Sequence, residues 1–218
     1  WSRPGSATGN ATGAASISDA PPKMPDTLKD VVPASGVIVI ADLEYTSWEG
    51  AQESGWAAPG QFREIVQIGA VRVDAGNDFA ELASFSVLVR PMINPELSAY
   101  FVDLTGITSA EVAQAGVELA DALSAFAAFA GTDVILSHGR DDLVIGEDCA
   151  LKDFENPFAD TDWRDINPPL RAITGEHLMS SELPVHFGVG PVENAHDALA
   201  DARGLARILT HLRNDTQL

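Results

Sequence analysis

The stretch Gly36-Val-Ile-Val-Ile-Ala-Asp-Leu-Glu44 decides the fold of this chain. Its apolar residues predict a buried β-strand over Val37–Glu44, and that strand ends in two carboxylates. Because side chains two apart on a strand point to the same side, Asp42 and Glu44 are expected to project together. Burying two carboxylates is costly unless positive charge lies between them, so the pair is a candidate cation site. Taken alone, the pair is equally consistent with a solvated strand end.

A second acidic element lies near the C-terminus. The stretch His196-Asp-Ala-Leu-Ala-Asp-Ala202 opens an amphipathic helix that we predict over Asn194–Leu212. An inward-facing Asp201 in this alanine-rich helix needs a partner. His196 lies about 140° from Asp201 around a regular helix, so we expect it at the helix entry; alone it is also consistent with a cap or a surface residue. With Asp142 as a third element, these acids predict a pair of divalent metal ions and phosphodiester hydrolysis.

The remaining pattern predicts an α/β fold in which a mixed sheet is flanked by helices. Two strands with short connections follow the first and should be its antiparallel neighbours. The stretch from Thr108 to Glu111 has the capping-box form that opens a helix, and Gly131 ends the next one. Short strands then alternate with helices. The further predicted strands are Glu64–Asp74, Phe79–Arg90, Asp133–Ser137 and Trp163–Ile166, and the further predicted helices include Leu119–Ala130 and Asp142–Phe154.

The composition divides the chain into an arm and a domain. Residues 1–35 are rich in small residues and then in proline, which predicts a flexible or extended N-terminal arm, and residues 36–218 form the predicted domain. No apolar stretch approaches the roughly 18 residues that cross a bilayer, and no secretory signal is apparent, so we expect a cytoplasmic protein without a membrane partner. Cys149 is the only cysteine, which excludes an internal disulfide and a cysteine-rich zinc site.

The net charge of −19 is unusual for a protein that binds nucleic acid. Residues 36–218 contain 29 acidic and 10 basic residues, so the excess lies in the predicted domain. Proteins that bind long nucleic acids usually have a basic surface. Either the contact with substrate is short and mediated by metal, or the few cations are gathered on one face. General solubility explains most of the acidic residues equally well.

Several stretches together resemble the DEDD exonuclease superfamily. They are Ala41-Asp-Leu-Glu-Tyr-Thr46, Glu64-Ile-Val-Gln-Ile-Gly-Ala70, Val89-Arg-Pro91 and Leu104-Thr-Gly-Ile-Thr108. The ending His196-x-x-x-x-Asp201 is similar to that of the DEDDh subgroup, the RNase T and proofreading-subunit type. The stretches Trp48-Glu-Gly50 and Ser137-His-Gly-Arg-Asp-Asp142 look most like the branch that trims RNA 3′ ends, which includes histone-mRNA and small-RNA exonucleases. The resemblance runs from about Val37 to Leu212 and implies a ribonuclease H-like sheet of five strands, three antiparallel and then two parallel.

The resemblance also implies a role for each acidic residue. Asp42 would bridge two divalent ions, Mg²⁺ or Mn²⁺. Glu44 and Asp201 would bind the ion that activates water, and Asp142 would act on the second ion. His196 would be the general base.

The sequence matches the family's motifs less directly at the third acid and at the residues that would contact the substrate. Alignment on Gly139 favours Asp142, but Asp141 stands where related proteins often carry an aromatic residue and stays an alternative. His138 is interpreted as structural. The residues implied to contact the substrate are Leu43, Tyr45 and Thr46, with the backbone of Thr46 near the terminal 3′-hydroxyl.

The implied activity is that of a 3′→5′ exonuclease. Its partners would be the 3′ ends of single-stranded RNA or DNA, with RNA favoured, and its product would be a nucleoside 5′-monophosphate. One alternative is a DNA exonuclease of the proofreading or repair type. A second, of a different class, is a regulatory binding module that keeps the fold without activity. Trp48, Trp56 and Phe62 could stack on terminal bases or pack against the domain.

Overall fold

A mixed five-stranded sheet forms the centre of the computed structural model, which describes residues 27–215. The strand order is β3-β2-β1-β4-β5. Strand β1 pairs antiparallel with β2 and parallel with β4, and β5 extends the parallel half. The predicted fold class is therefore confirmed. The strands are β1 (Val37–Tyr45), β2 (Ile65–Asp74), β3 (Ala80–Leu88), β4 (Val134–Ser137) and β5 (Trp163–Asp165).

Helices cover both faces of the sheet. The capping box at Thr108 is present, since its side chain accepts the Glu111 N–H and the Glu111 carboxylate accepts the Thr108 N–H. Five of the helices were not predicted from the sequence, namely α1, α2, α3, α7 and α8. The helices are α1 (Leu28–Val31), α2 (Ala51–Ser54), α3 (Ala99–Thr105), α4 (Ser109–Ala115), α5 (Leu119–Ala130), α6 (Asp141–Leu151), α7 (Asn167–Thr174), α8 (Leu183–His186) and α9 (Ala198–Asn214).

Strand β1 contributes to two separate hydrophobic cores because its side chains alternate between the two faces of the sheet. Ile38 and Ile40 pack in the core that contains the apolar side of α9. Val39 and Ala41 pack in the opposite core with α5 and α6. This alternation continues to the end of the strand, so it places Asp42 on the same face of the sheet as α9.

The packed domain begins upstream of the boundary expected at residue 36. Leu28, Val31 and Val32 are buried in the core beneath α9. The Val31 carbonyl also accepts a hydrogen bond from Arg164 Nη1 at 2.8 Å. This short amphipathic turn corrects the predicted arm over its last residues. The rest of the predicted arm, residues 1–26, lies outside the described part of the chain. Within residues 27–215, no helix is long and apolar enough to cross a membrane.

A buried ion network joins β2 to α6. Lys152 Nζ lies 2.8 Å from Asp148 Oδ1 and 3.2 Å from Glu64 Oε1, and all three side chains are almost fully buried. The Asp148 carboxylate also accepts the Ile65 N–H at 2.9 Å. The Glu64 carboxylate accepts the N–H groups of the turn at residues 92–94. The network therefore fixes the start of β2, this turn and α6 relative to one another.

Candidate active site

A cleft of about 620 Å³ lies at the C-terminal end of β1. Its walls come from the loop after β1, from α3, from the start of α6 and from the segment 177–182. Such a volume lies within the range of small-ligand pockets. The residues that line it include Asp42, Glu44, Asp141, His196 and Asp201. Its other ionisable lining residues include Arg63, His138, Arg140, His177 and Glu182.

Strand β1 supplies the first two acids. Asp42 lies opposite Gly69 in the register of β1 and β2, and Glu44 lies opposite Gln67. A register irregularity follows between Glu44 and Tyr45, where regular pairing ends. The two carboxylates therefore share the face of the sheet that carries α9, as the alternation of β1 predicts.

Helix α9 supplies the third acid. The helix begins at Ala198, and its N-cap residue Asp197 accepts the Ala200 N–H at 2.9 Å. Asp201 lies one turn into the helix and is 1% exposed. Its Oδ2 accepts the His196 N–H at 3.2 Å, whereas its buried Oδ1 has no hydrogen-bond partner in the described structure. A buried carboxylate oxygen without a donor is costly unless a ligand contacts it.

His196 lies beside Glu44 and Asp201. Ligand atoms of Glu44, His196 and Asp201 all lie within 4.8 Å of one another. The backbone of His196 is left-handed, with φ of 66°, a conformation that costs a non-glycine residue about 1–3 kcal/mol. The hydrogen bond from its N–H to Asp201 helps to hold this conformation. Burial lowers the pKa of His196, although Glu182 opposes the shift, so the imidazole is neutral near pH 7 and can accept a proton.

The acid of α6 that lines the cleft is Asp141, the alternative that the sequence left open beside the predicted Asp142. Asp141 is buried and lines the cleft with Asp42. Asp142 instead pairs with Arg140 through two hydrogen bonds of 2.8 and 2.7 Å and borders a separate surface depression with Glu147. Successive helical residues point about 100° apart, so only one of the two can face the cleft.

All four acids have raised pKa values in the absence of a bound cation. Burial is the main cause for each acid. The pKa values of Asp42 and Glu44 lie well above their ordinary range, and the second cause for both is a neighbouring carboxylate. Burial, together with Asp165 and Asp142, raises the pKa of Asp141 to about 8. Burial raises the pKa of Asp201 to about 6, with Asp197 adding to the shift. Ionisation of all four acids is therefore unfavourable unless positive charge lies among them.

This donor set fits divalent cations. Hard ions such as Mg²⁺ are bound by a few carboxylates and retained water, and Mn²⁺ also accepts such oxygen ligands. The unpartnered Oδ1 of Asp201 and the mutual repulsion of the four acids are both relieved by a cation at this position. The cleft is thus a candidate metal centre.

The residues expected to contact the substrate divide into two groups. Leu43 and Tyr45 line the cleft. Thr46 does not, because its N–H donates to the Glu64 carbonyl at 2.9 Å and its hydroxyl donates to the carbonyl of Phe62. Its own carbonyl accepts Trp56 Nε1–H at 3.0 Å. These hydrogen bonds give Thr46 a structural role, and its expected contact with the 3′-hydroxyl stays a prediction.

Aromatic side chains form one wall of the cleft. Trp48 and Trp56 line it, and the ring of Trp56 packs 5.5 Å from that of Tyr45. The Arg63 guanidinium lies 5.3 Å from the centre of the Trp56 ring and pairs with Glu147 of α6. Phe62, which the sequence grouped with the tryptophans, is partly exposed and is not a lining residue.

Several cleft residues were not identified from the sequence. His138 lines the cleft, and burial, with a contribution from His177, lowers its pKa to about 4. Its position between the end of β4 and Gly139 could have indicated a cleft residue, but from the sequence His138 is interpreted as structural. Tyr100 and Leu104 come from α3 and His177 from the segment before α8. Leu104 begins one of the stretches that resemble the exonuclease superfamily, but no site role was assigned to it, and no motif marks Tyr100 or His177.

The sheet has the ribonuclease H-like strand arrangement, and the acidic cleft lies at the end of its central strand β1. The chain belongs to the RNase_T exonuclease family, whose model matches residues 39–209. The predicted resemblance to exonucleases of the RNase T type is thereby confirmed at the level of the family. Among curated proteins, none matches this chain.

Solved exonuclease structures share the fold. The nuclease domain of 3′hExo, a DEDDh family member bound to rAMP, is 24% identical, with a TM-score of 0.65 over 83% of this chain and 93% of that one. A 3′-exonuclease that recognises the histone mRNA stem-loop is 22% identical, with a TM-score of 0.68 over 84% of each chain. Exonuclease I of E. coli in complex with a dT13 oligonucleotide is 17% identical, with a TM-score of 0.62 over 82% of this chain and 41% of that one.

Proposed function

We propose that this protein is a metal-dependent 3′→5′ exonuclease that releases nucleoside 5′-monophosphates from single-stranded nucleic acid. The observation that carries the proposal is the convergence of four acids, three of them buried and Glu44 half-buried, and a neutral histidine in the cleft. Membership in an exonuclease family supports the reaction class.

The four acids would hold two divalent ions, Mg²⁺ or Mn²⁺. Asp42 is central because its pKa responds to Glu44, Asp141 and Asp201 alike. Glu44 and Asp201 lie together with His196 on one side, and Asp141 approaches from α6. Two such ions supply a nucleophilic water at neutral pH and neutralise charge on the attacking and leaving oxygens.

His196 acts as the general base. Its ring is neutral near pH 7 and lies in the cleft next to Glu44 and Asp201. It accepts the proton of the attacking water, and the Asp201 carboxylate holds its backbone in place through the His196 N–H. A neutral imidazole can take up this proton only above its own pKa, so the reaction needs a pH at which His196 is deprotonated.

The apolar wall would hold the terminal nucleosides. Leu43, Tyr45 and Trp48 lie on the side of the β1 loop, and Tyr100 and Leu104 lie on α3. Stacking of bases on aromatic rings is tolerant of sequence and suits single strands. RNA is the favoured substrate because two of the similar structures are described with rAMP and with histone mRNA. The similarity to an enzyme bound to dT13 keeps DNA as the second candidate.

The test uses 5′-labelled single-stranded RNA and DNA of the same sequence, with Mg²⁺, Mn²⁺ or EDTA. We expect a ladder that shortens by single nucleotides from the 3′ end, and both EDTA and Asp42→Asn should abolish it. Faster RNA degradation would support the RNA assignment, and the reverse would move it to DNA. Intact substrate under every metal condition would favour a regulatory binding module, and internal cuts would indicate an endonuclease.

A further inference from the structure

Gln67 is buried between β1 and the start of α9, outside the residues that line the cleft. Its side-chain Nε2 donates to Asp197 Oδ2 at 2.8 Å, and its Oε1 accepts the Ala198 N–H at 3.0 Å. The nitrogen and the oxygen of the Gln67 amide are thus both hydrogen-bonded to the start of α9, at Asp197 and Ala198. In β2, Gln67 lies directly opposite Glu44.

Both carboxylate oxygens of Asp197 accept hydrogen bonds. While Oδ2 accepts from Gln67, Oδ1 accepts the Ala200 N–H at 2.9 Å and caps the helix. The Asp197 carbonyl in turn accepts the Asp201 N–H at 2.9 Å. One carboxylate therefore joins strand β2 to the helical turn that carries Asp201, and His196 immediately precedes it.

Gly69 allows this approach of strand and helix. A Cβ atom at Gly69 would lie 2.1 Å from Leu199 N and 2.2 Å from the carbonyl carbon of Ala198. The backbone of α9 therefore rests directly on the backbone of β2. Gln67 and Gly69 are two apart on the strand, so the polar contact and the close approach lie on the same face of the sheet.

We infer that Gln67 is a positioning residue that sets the separation between the acids of β1 and those of α9 through Asp197 and Ala198. The inference rests on the proposed metal site. The carboxyl groups of Asp42, Glu44 and Asp201 converge where α9 meets β1. When these groups ionise, their repulsion pushes the two elements apart unless a cation is bound. A neutral amide opposes this separation without adding charge. A carboxylate at the same position would instead face the Asp197 carboxylate.

The test exchanges the partners of the Gln67–Asp197 hydrogen bond. Gln67→Glu places two carboxylates against each other and removes the donor. Asp197→Asn alone leaves an amide facing an amide. In the double variant, the new amide at position 197 can donate its N–H to the new carboxylate at position 67, and its oxygen can still cap the helix. The net charge of the double variant equals that of the wild type. Gln114→Glu, on the exposed side of α4, is the matched control for the added charge.

The primary readout is Mn²⁺ binding without substrate, measured by calorimetry and by the metal-dependent rise in melting temperature. Outer-sphere partners of metal ligands typically change metal affinity about 10- to 100-fold. We expect Gln67→Glu to weaken Mn²⁺ binding at least about tenfold, and the double variant to recover most of it. Gln114→Glu should bind as the wild type does. In steady state, the loss should appear in kcat at a fixed Mn²⁺ concentration, while the KM for the oligonucleotide stays unchanged.

The outcomes separate this inference from the proposed function. Equal Mn²⁺ binding by the wild type and Gln67→Glu, or no recovery in the double variant, would overturn the inference alone. A lower melting temperature without any change in Mn²⁺ affinity would also overturn it, because it indicates a purely structural residue. Mn²⁺ binding without cleavage by the wild type would overturn only the nuclease assignment. A wild type that binds no Mn²⁺ would overturn both.

Discussion

Asp141 and Asp142 are neighbours in the sequence, yet their carboxylates lie on different surfaces of α6. Asp141 enters the cleft beside Asp42, and Asp142 forms an ion pair with Arg140 at the surface. The pair provides an internal comparison, because the same substitution one residue apart removes either a cleft acid or a surface acid.

Asp141→Asn is expected to reduce exonuclease activity at least about 100-fold, since it removes a direct candidate ligand and outer-sphere partners alone cost about 10- to 100-fold. Asp142→Asn should keep near wild-type activity, because an exposed ion pair contributes only about 0–1 kcal/mol. Initial rates on labelled single-stranded RNA at saturating Mg²⁺ measure both. Greater loss in Asp142→Asn than in Asp141→Asn would return the third acid to Asp142.

The metal-free protein should lose stability as the pH rises. A carboxyl group whose pKa is raised on folding binds more protons in the folded state than in the unfolded state, so stability is highest at low pH and decreases through the folded pKa. These values are about 6 for Asp201 and about 8 for Asp141. Each unit of raised pKa corresponds to about 1.4 kcal/mol. In EDTA, the melting temperature should therefore fall between about pH 5 and pH 8.

Asp141→Asn provides the control for this pH dependence. Without the ionisable group, the decrease in melting temperature toward pH 8 should be shallower, whereas Asp142→Asn should differ less from the wild type, because Asp142 only adds to a shift that burial mainly causes. Mn²⁺ added at the alkaline end should raise the wild-type melting temperature, because a cation binds the ionised acids of the folded state. Parallel curves for Asp141→Asn and the wild type would contradict the role of Asp141 in this cluster.

His196→Ala should lower kcat by about 100- to 10,000-fold, the usual contribution of a general base. In the wild type, activity should decrease as the pH falls through the pKa of His196, which burial places below its ordinary value near 6.5. The variant should lose this acidic limb. His138→Ala is the matched control, since the pKa of His138 is about 4 and its ring stays neutral over the same range. An unchanged acidic limb in His196→Ala would exclude it as the base.

Lys152→Met should destabilise the fold by about 3–5 kcal/mol, because it leaves the buried carboxylates of Glu64 and Asp148 without their cation. Lys29→Met, at an exposed position of α1, should change the free energy of unfolding little. Urea titrations of both variants give the comparison. A Lys152→Met variant as stable as the wild type would show that backbone N–H donors alone stabilise the two acids.

Much of the fold follows from local pattern. The apolar alternation of β1 predicts both cores, and it also predicts that Asp42 and Glu44 share a face. The end of α5 at Gly131 follows from the same kind of local signal. These features depend on side-chain period and turn chemistry, which the sequence carries directly.

The third acid depends on helix phase, which local pattern does not determine. The predicted helix starts at Asp142, whereas α6 starts at Asp141. Adjacent helical residues point about 100° apart, and the alignment on Gly139 does not show which of the two acids faces the cleft. The role of Thr46 depends on residues further along the chain, because its N–H donates to the Glu64 carbonyl and its hydroxyl donates to the Phe62 carbonyl. Tyr100 reaches the cleft only through tertiary packing.

The contact between β2 and α9 gives a final prediction that needs no metal. Gly69→Ala places a Cβ atom 2.1 Å from the Leu199 backbone nitrogen, and this backbone cannot move without displacing the helix that carries Asp201. We expect destabilisation of at least about 1–3 kcal/mol, the usual cost of overpacking. Gly146→Ala is the matched control, because its Cβ would come no closer than 3.6 Å to Asn156 Nδ2. Replacing glycine inside α6 should then stabilise by up to about 1 kcal/mol, so the two variants should shift the urea midpoint in opposite directions. A stable Gly69→Ala variant would show that α9 can rest further from the sheet than the structure places it.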